Sequence, residues 1–573
     1  MPNVDHSEFE VRGQNTAASF SLKIHRGEGM CLLAMNWKNG TPPEDFVGFA
    51  IEYREPGGDR FFALKNRLSF AGRTTSNSLS TRLSPIQKFR WVHFPRNADI
   101  PGKFSYRVTP VFMNQLDELS YGEFQEADIA LMRETYPSQL NVTFTRGFVS
   151  SQAFVDFYDS AGPISTLLPA KADEGLTFIP THPKTKEALT WMGFEARAEI
   201  LDVLDKAIAD VTAKVLIVAY DLNEPEMVSR LEKLKTRLRI IIDDDGAHGA
   251  AGSGENMAEE KLVISAGRDQ VKRQHMGKLQ HNKMIVVDGD NVKVAIGGST
   301  NFSWRGFYVQ ANNAVVLSGA AAIEPFKKAF EQYWLSSASS DFGATPSAEW
   351  NDLGLTNINA KVTFSPHSAD NAVLASIASD IHDHVTSSLF FSLAFLYQTQ
   401  GAVRDAVTKV TADANLFVYG ISDKRVGGMD LLKPDGNLAP VFPSALKKNV
   451  PEPFKSEVTG GGGTRMHHKF VVIDFDKPTA RVYLGSYNFS GAADKTNGEN
   501  LLLIKDRKIA VSYTIEALRI FDHYHFRVAQ NEAKEAHKKL ELAKPPRAAG
   551  EVAWWADDYS DARKMKDRVL FSK

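Results

Sequence analysis

The chain has 573 residues, of which 43% are hydrophobic and 24% charged, with a formal net charge of -2. At roughly 150 residues per domain that is room for about three to five domains or one large duplicated unit; it is too apolar for a disordered chain and not basic enough for a general nucleic-acid coat. Its single cysteine, Cys31, excludes an internal disulfide framework and a thiolate metal cluster and suits a reducing compartment. The N-terminal residues lack the basic start and apolar stretch of a secretory signal, so the expected location is cytoplasmic, with non-classical export left open. The strongest apolar run, Ser388 to Tyr397, is about half the length that crosses a bilayer and reads as a buried strand, so no integral membrane segment is expected.

Residues 1–135 read as strands separated by Gly and Pro clusters: SFSLKIH, GMCLLAMNW, VGFAIEYR, FRWVHFP and KFSYRVTPVFM. This is the pattern of an all-β sandwich. The tryptophan on an early strand and FSYRVTPV on a later one resemble a fibronectin type III or immunoglobulin-like domain, which makes this region a candidate surface for a protein partner. Residues 136–185 read as a connecting segment. From 186 the rhythm becomes α/β: FEARAEILDVLDKAIADV as an amphipathic helix, KVLIVAYDL as a strand, EPEMVSRLEKLKTR as a helix and LRIIIDDD as a strand. The second half repeats that order with NAVLASIASDIHDHV, SSLFFSLAFLY, GAVRDAVTKVTADA and NLFVYGIS. The expected domains are therefore 1–135, a first lobe at 186–345, a second lobe at 346–535 and a helical tail at 536–573 carrying Trp554 and Trp555.

One constellation is written twice. HNKMIVVDGD begins at His281 and HHKFVVIDFD at His467, and His281, Lys283 and Asp288 each lie 186 residues before His467, Lys469 and Asp474. After one inserted residue, Gly298, Ser299, Asn301 and Asn313 lie 187 residues before Gly485, Ser486, Asn488 and Asn500. Strand alternation places the histidine and lysine of each motif on one face and turns Asn282 and His468 to the other. VKVAIGG and ARVYLGS follow as hairpin partners that return the serine and asparagine beside the first strand. Two imidazoles, two ammonium groups and two amides suit a phosphodiester: lysine and asparagine hold the non-bridging oxygens, while one histidine attacks phosphorus and the other protonates the leaving oxygen. The set requires no metal or other cofactor, and a lysine beside each histidine disfavours a cation there.

These motifs, His-x-Lys-x4-Asp followed by Gly-Ser-x-Asn in two copies, resemble the phospholipase D superfamily over roughly residues 186–535. The resemblance implies two α/β lobes, each a mixed sheet flanked by helices, related by a pseudo-two-fold axis with one active site between them inside a single chain. It implies metal-independent hydrolysis through a covalent phosphohistidine, with transfer to an alcohol as a variant. By position it makes one of His281 and His467 the nucleophile, with His281 favoured, and the other the general acid. It makes Lys283, Lys469, Asn301 and Asn488 phosphate ligands, puts Ser299 and Ser486 along the site, and leaves Asp288 and Asp474 as strand-end structural partners. Glu499 stands where the family uses a carboxylate to orient a catalytic imidazole, while the first repeat has Asn312 there, so the two histidines should differ in basicity. GSTNFS and GSYNFS resemble the nuclease branch, which tilts the expected substrate to nucleic acid. The alternatives are a phospholipase D acting on phospholipid headgroups and an inactive hydrolase body serving as a binding scaffold.

Other stretches carry weaker signals. IIIDDDGAHG reads as a strand-end turn and not a calcium loop, because the terminal acidic ligand is missing. Lys272, Arg273, His275 and Lys278 form a charged loop before the first motif that could meet an anionic backbone. Trp304, Phe307 and Tyr308 could stack on bases or pack a lobe. Gly460 to Gly463 read as a flexible loop before the second motif.

Overall fold

A computed structural model of the chain describes residues 9–72, 79–95, 97–98, 100–131, 135–147, 154, 157–170, 174–422, 466–538 and 540–573. The described residues fall into two compact units, one drawn from Met1–Arg133 and Val511–Lys573, the other from Glu134–Leu431 and Pro440–Ala510. In the first unit β1 (Glu10–Arg12), β2 (Phe20–Arg26), β3 (Cys31–Trp37) and β8 (Arg90–His93) form one antiparallel sheet in the order β1-β2-β3-β8. The second sheet runs β10-β9-β4-β5, from β4 (Phe46–Arg54), β5 (Phe62–Ala63), β9 (Lys103–Met113) and β10 (Leu119–Tyr121), and β11 (Gln125–Ala130) also pairs with β9. A small ribbon joins β6 (Lys65–Asn66) and β7 (Leu79–Ser80).

Alternation along these strands puts Phe20, Leu22, Ile24, Leu33 and Met35 of one sheet against Phe46, Phe49, Ile51, Tyr106 and Val108 of the other, and the two faces share one core. The C-terminal residues complete that core. Trp554 stacks on Phe89 with ring centroids 5.3 Å apart and donates its indole N–H to the Phe46 carbonyl at 3.0 Å. Buried Arg90 bonds Asp522 on the helix Arg507–Glu535 and Asp567 on the helix Ala562–Ser572. The stretch read as a helix beyond 535 stops there: the long helix ends at Glu535 and two short helices, Ala556–Ser560 and Ala562–Ser572, follow.

The second unit holds two seven-stranded mixed sheets. The first contains β12 (Leu140–Phe144), β13 (Lys214–Ala219), β14 (Leu238–Ile242), β15 (Val271–Arg273), β16 (Lys283–Asp288), β17 (Lys293–Gly298) and β18 (Asn313–Ser318), ordered β12-β18-β17-β16-β13-β14-β15. The second contains β19 (Asn351–Asp352), β20 (Asn359–Ser365), β21 (Ser388–Leu393), β22 (Phe417–Ile421), β23 (Lys469–Ile473), β24 (Arg481–Gly485) and β25 (Glu499–Lys505), ordered β19-β20-β25-β24-β23-β21-β22. Both motif strands are bounded as strand chemistry demands: MIVV and FVVI are wholly buried, and β16–β17 and β23–β24 are antiparallel hairpins. Within these two sheets the described strands β13–β14, β14–β15 and β21–β22 pair parallel, and helices such as Pro225–Leu234 and Ala402–Ala412 make the crossovers.

The repeat is longer than the sequence shows. Residues 140–144, inside the stretch read as a connector, are the edge strand β12, and Phe144 sits opposite Asn313 as Phe364 of β20 sits opposite Asn500. Each lobe therefore carries, ahead of its parallel strands, a strand that pairs with its own last strand: β12 with β18 and β20 with β25. No described helix is long and apolar enough to cross a membrane.

Where the motif strands end, the lobes are bonded to one another. The Gly298 N–H donates to Asn500 Oδ1 at 3.1 Å and Asn500 Nδ2 donates to Asn282 Oδ1 at 2.8 Å. The N–H groups of His467 and Gly498 reach the carbonyls of Ala311 (3.1 Å) and Leu279 (2.8 Å). Gly298 and Gly485 turn out of their strands with φ of 132° and 147°, and a Cβ there would fall on the carbonyl oxygen of Asn313 or Asn500. Gly298→Ala and Gly485→Ala should each cost roughly 1–3 kcal/mol of stability, read from urea unfolding; a change within a few tenths would contradict the backbone account.

Candidate active site

His281 and His467 meet where the lobes join, with ring centroids 6.4 Å apart and planes at 68°. Both are buried, and each is fixed by a residue of the opposite lobe. His281 Nδ1 bonds Glu499 Oε1 and Oε2 at 3.0 and 2.8 Å, and His467 Nδ1 bonds Asn312 Oδ1 at 2.8 Å. The Asn312 amide is oriented by its own donor, which goes to the Gly306 carbonyl at 3.0 Å, so its oxygen faces the imidazole and His467 Nδ1 must carry the proton. The same logic holds at Glu499, an acceptor when ionised.

The serines hold these backing residues. Ser299 Oγ donates to Asn312 Oδ1 at 3.0 Å, while Ser486 bonds Glu499 and accepts the Asn500 N–H at 2.9 Å. Lys283 and Lys469 are buried beside the histidines, each ammonium bonded to the carbonyl of the histidine two residues before it (2.8 Å for Lys469) and set over a ring: Tyr220 at 4.5 Å and Phe395 at 5.6 Å. Among the described residues, Asn301 and Asn488 each keep a buried Oδ1 with no hydrogen-bond partner. Asp288 and Asp474 lie at the strand ends: Asp288 pairs with Lys293 and Lys327, and Asp474 accepts the N–H groups of Thr386, Ser387 and Ser388.

Burial dominates the electrostatics. It pushes both imidazoles well below the ordinary histidine value, helped by the neighbouring lysines. It brings Lys283 down to about 8 and Lys469 well below the usual lysine range, and it raises Glu499 to about 8 despite the pull of Lys283. Burial thus disfavours charge of either sign here; an anion bound among these groups offsets the cationic repulsion and favours protonation of histidine and lysine together.

The charged loop before the first motif is tied inward: Arg273 donates to the carbonyls of Asp243 and His248, Lys272 to the Trp334 carbonyl, and the Lys278 N–H to the Thr496 carbonyl, while exposed His275 pairs with Asp244. Trp304, Phe307 and Tyr308 are buried within the first lobe; the Trp304 indole is bonded to the Gly175 carbonyl and the Tyr308 hydroxyl to Glu224. His468 is buried against Phe144 and Phe470. Gly460 to Gly463 lie outside the described residues. What motif spacing missed is a set of acidic groups near the first motif. Asp221, His248 and Glu255 offer side-chain atoms within 4.8 Å of one another, and Asp243 accepts the N–H of Gln280, the residue before His281, at 2.6 Å. The only sequence signal for this set was the DDD run at the end of β14.

A family described as "Cardiolipin synthase, PLD-like domain" matches residues 204–334 and 406–520. Among curated proteins, "Phospholipase D" of Rickettsia prowazekii is 51% identical over 47 residues, 8% of this chain and 21% of that protein. "Mitochondrial cardiolipin hydrolase" of Chlamydomonas reinhardtii is 25% identical over 137 residues, 24% of this chain and 56% of that protein. The aligned stretches thus span about a fifth to just over half of the curated relatives' length. Among solved structures, phosphatidylserine synthase of Haemophilus influenzae Rd KW20 is similar at 14% identity and a TM-score of 0.40, covering 59% of this chain and 91% of its own. Nuc of Salmonella typhimurium is similar at 25% identity and a TM-score of 0.20, covering 24% and 87%. The chain carries a phospholipase-D-like domain in two segments, one in each lobe.

Exchanging the backing groups tests the geometry without reference to activity. Asn312→Asp places a carboxylate on His467 Nδ1, so the His467 pKa should rise by about 1 to 3 pH units in a histidine-resolved NMR titration, whereas an unmoved His467 would contradict the contact.

Proposed function

We propose that this chain is a metal-independent phosphodiesterase that works through a covalent phosphohistidine. The observation that carries this reading is the pair of imidazoles meeting at the lobe junction, one backed by a carboxylate and the other by an amide. With Nδ1 committed in each ring, Nε2 is the nitrogen for phosphorus. His281 attacks, forming an N–P bond as the bond from phosphorus to the leaving oxygen breaks, and the ring becomes cationic; Glu499 on Nδ1 favours that charge. His467, with a neutral amide in place of a carboxylate behind it, releases its proton more readily and gives it to the leaving oxygen. It then takes a proton from water, whose oxygen displaces the histidine from phosphorus. Lys283, Lys469, Asn301 and Asn488 hold the non-bridging oxygens, and the two lysines supply the positive charge that a metal would otherwise provide.

Nucleic acid is the preferred substrate, on the GSTNFS and GSYNFS segments that follow the motifs. Phospholipid is the second reading, favoured by the names of the curated relatives, phospholipase D and cardiolipin hydrolase. A side-by-side assay of single-stranded DNA, RNA and mixed phospholipid vesicles in chelator tests both. Cleavage should survive chelation and fall at least about 10³-fold in His281→Ala and in His467→Ala; activity that needs added divalent cation, or that persists in either variant, would refute the mechanism. Trapping of a ³²P-labelled, acid-labile adduct should be lost in His281→Ala and retained in His467→Ala.

Anion binding should follow the lysines. Because Lys283 is charged below about 8 and neutral above it, sulfate affinity should fall as pH rises through 8, approaching tenfold per pH unit for one linked proton. Calorimetry in two buffers of different ionisation heat would show the proton taken up; a flat profile between pH 7 and about 9.5 would place the anion elsewhere.

A further inference from the structure

His248 lies in the turn after β14, outside both motifs, yet both of its ring nitrogens are engaged. Nδ1 bonds Asp243 Oδ2 at 2.8 Å and Nε2 bonds Asp221 Oδ1 at 3.0 Å. Carboxylates accept and do not donate, so both nitrogens carry protons and the ring is a cation between two anions. Each anion reaches one arm of the first repeat. Asp243, fully buried, accepts the Gln280 N–H at 2.6 Å and so fixes the approach to His281. Asp221 Oδ2 accepts from Ser303 Oγ at 3.4 Å, two residues beyond Asn301, where the Phe302 carbonyl also accepts the Asn223 N–H. Between His248 and the reaction centre stands one ring. Tyr220 lies edge-on to His248 at 4.4 Å and to His281 at 4.6 Å, and it is the ring beneath the Lys283 ammonium.

We propose that His248, clamped between Asp221 and Asp243, is a positioning residue that locks the strand approach presenting His281 to the loop presenting Asn301. This rests on the phosphodiesterase reading above. The surrounding charges agree with a fixed cation. Burial alone would lower the His248 pKa, but the bonds to Asp221 and Asp243 and the field of Glu255 raise it to about 10. Glu255 faces it from the helix Gly254–Ala266, Arg273 of β15 donates to its carbonyl, and Asp244 and Asp245 sit on its own turn. Across Tyr220, the His248 cation joins Lys283, Lys469 and His467 in holding down the basicity of His281, whose partner is Glu499. A neutral side chain at 248 would remove the cation bonded to both Asp221 and Asp243, leaving Lys283 and Arg305 to offset Asp221 from farther off, and would free the two arms from each other.

The test compares wild type with His248→Gln and His248→Arg, the latter keeping the charge. In histidine-resolved NMR, wild-type His248 should keep both ring protons through pH 8, and the His281 titration should move upward in His248→Gln and less in His248→Arg. On bis(p-nitrophenyl) phosphate, kcat should fall about 10²-fold in His248→Gln with KM changed less than about threefold, and the acid limb should move to higher pH, because His281 must be neutral to attack. Partial recovery of kcat in His248→Arg supports the charge. If His248→Gln does not fold, Asp221→Asn carries the test: it should lower the His248 pKa and kcat together. A wild-type His248 that titrates near the ordinary histidine value, an unmoved His281, or added zinc removing a ring proton from His248 would each overturn the proposal. A wild type inert on every phosphodiester would instead refute the preceding reading, and the NMR titrations would still decide whether His248 is a fixed cation coupled to His281.

Discussion

The site depends on an exchange: each lobe supplies one imidazole and the group that holds the other lobe's imidazole. Glu499 of the second lobe fixes His281 of the first, and Asn312 of the first fixes His467 of the second. Much of the nearby architecture serves that exchange. Ser299 and Ser486 hold the backing groups, and Asn500 bonds both Gly298 and Asn282 across the seam. Because an imidazole hydrogen bond is sensitive to a few tenths of an ångström, the lobes are held in register where the motif strands end, and the glycines at 298 and 485 let the chain leave those strands without a side chain in the way.

The exchange also sets the charge balance. Two lysines and two histidines share a buried space with the Glu499 carboxylate, an arrangement that burial alone makes expensive and that an anion makes favourable. The depressed basicity of the lysines and histidines and the raised value of Glu499 have the same origin, removal from water. The acidic groups behind Tyr220 act in the opposite sense on Lys283, helping it keep its proton.

The α/β grammar, the two hairpins and the alternation that turns Asn282 and His468 from their histidines were readable because period-two burial and a fixed offset leave a mark in a single sequence. What was not readable was which residue meets which across the seam. Glu499 and Asn312 each lie near a motif in their own repeat, and spacing cannot show that each serves the other repeat's histidine. The edge strand β12 was missed because LNVTF is short and is separated from β13 by about seventy residues, so its partner, β18, can be found only in three dimensions. The clamp at His248 had a cue in the DDD run of residues 243–245, but the run says nothing about a histidine that packs between one of those aspartates and Asp221.

Near symmetry with one substituted partner gives the seam a direction. A duplicated fold with identical halves would accept a two-sided linkage either way round, since a half-turn would map one side onto the other. Here a carboxylate stands at one end and an amide at the other, so the two orientations of one phosphodiester are not equivalent in energy. Under the proposed mechanism, that inequality would decide, in a polymer, which flanking oxygen departs and hence which fragment carries away the phosphate.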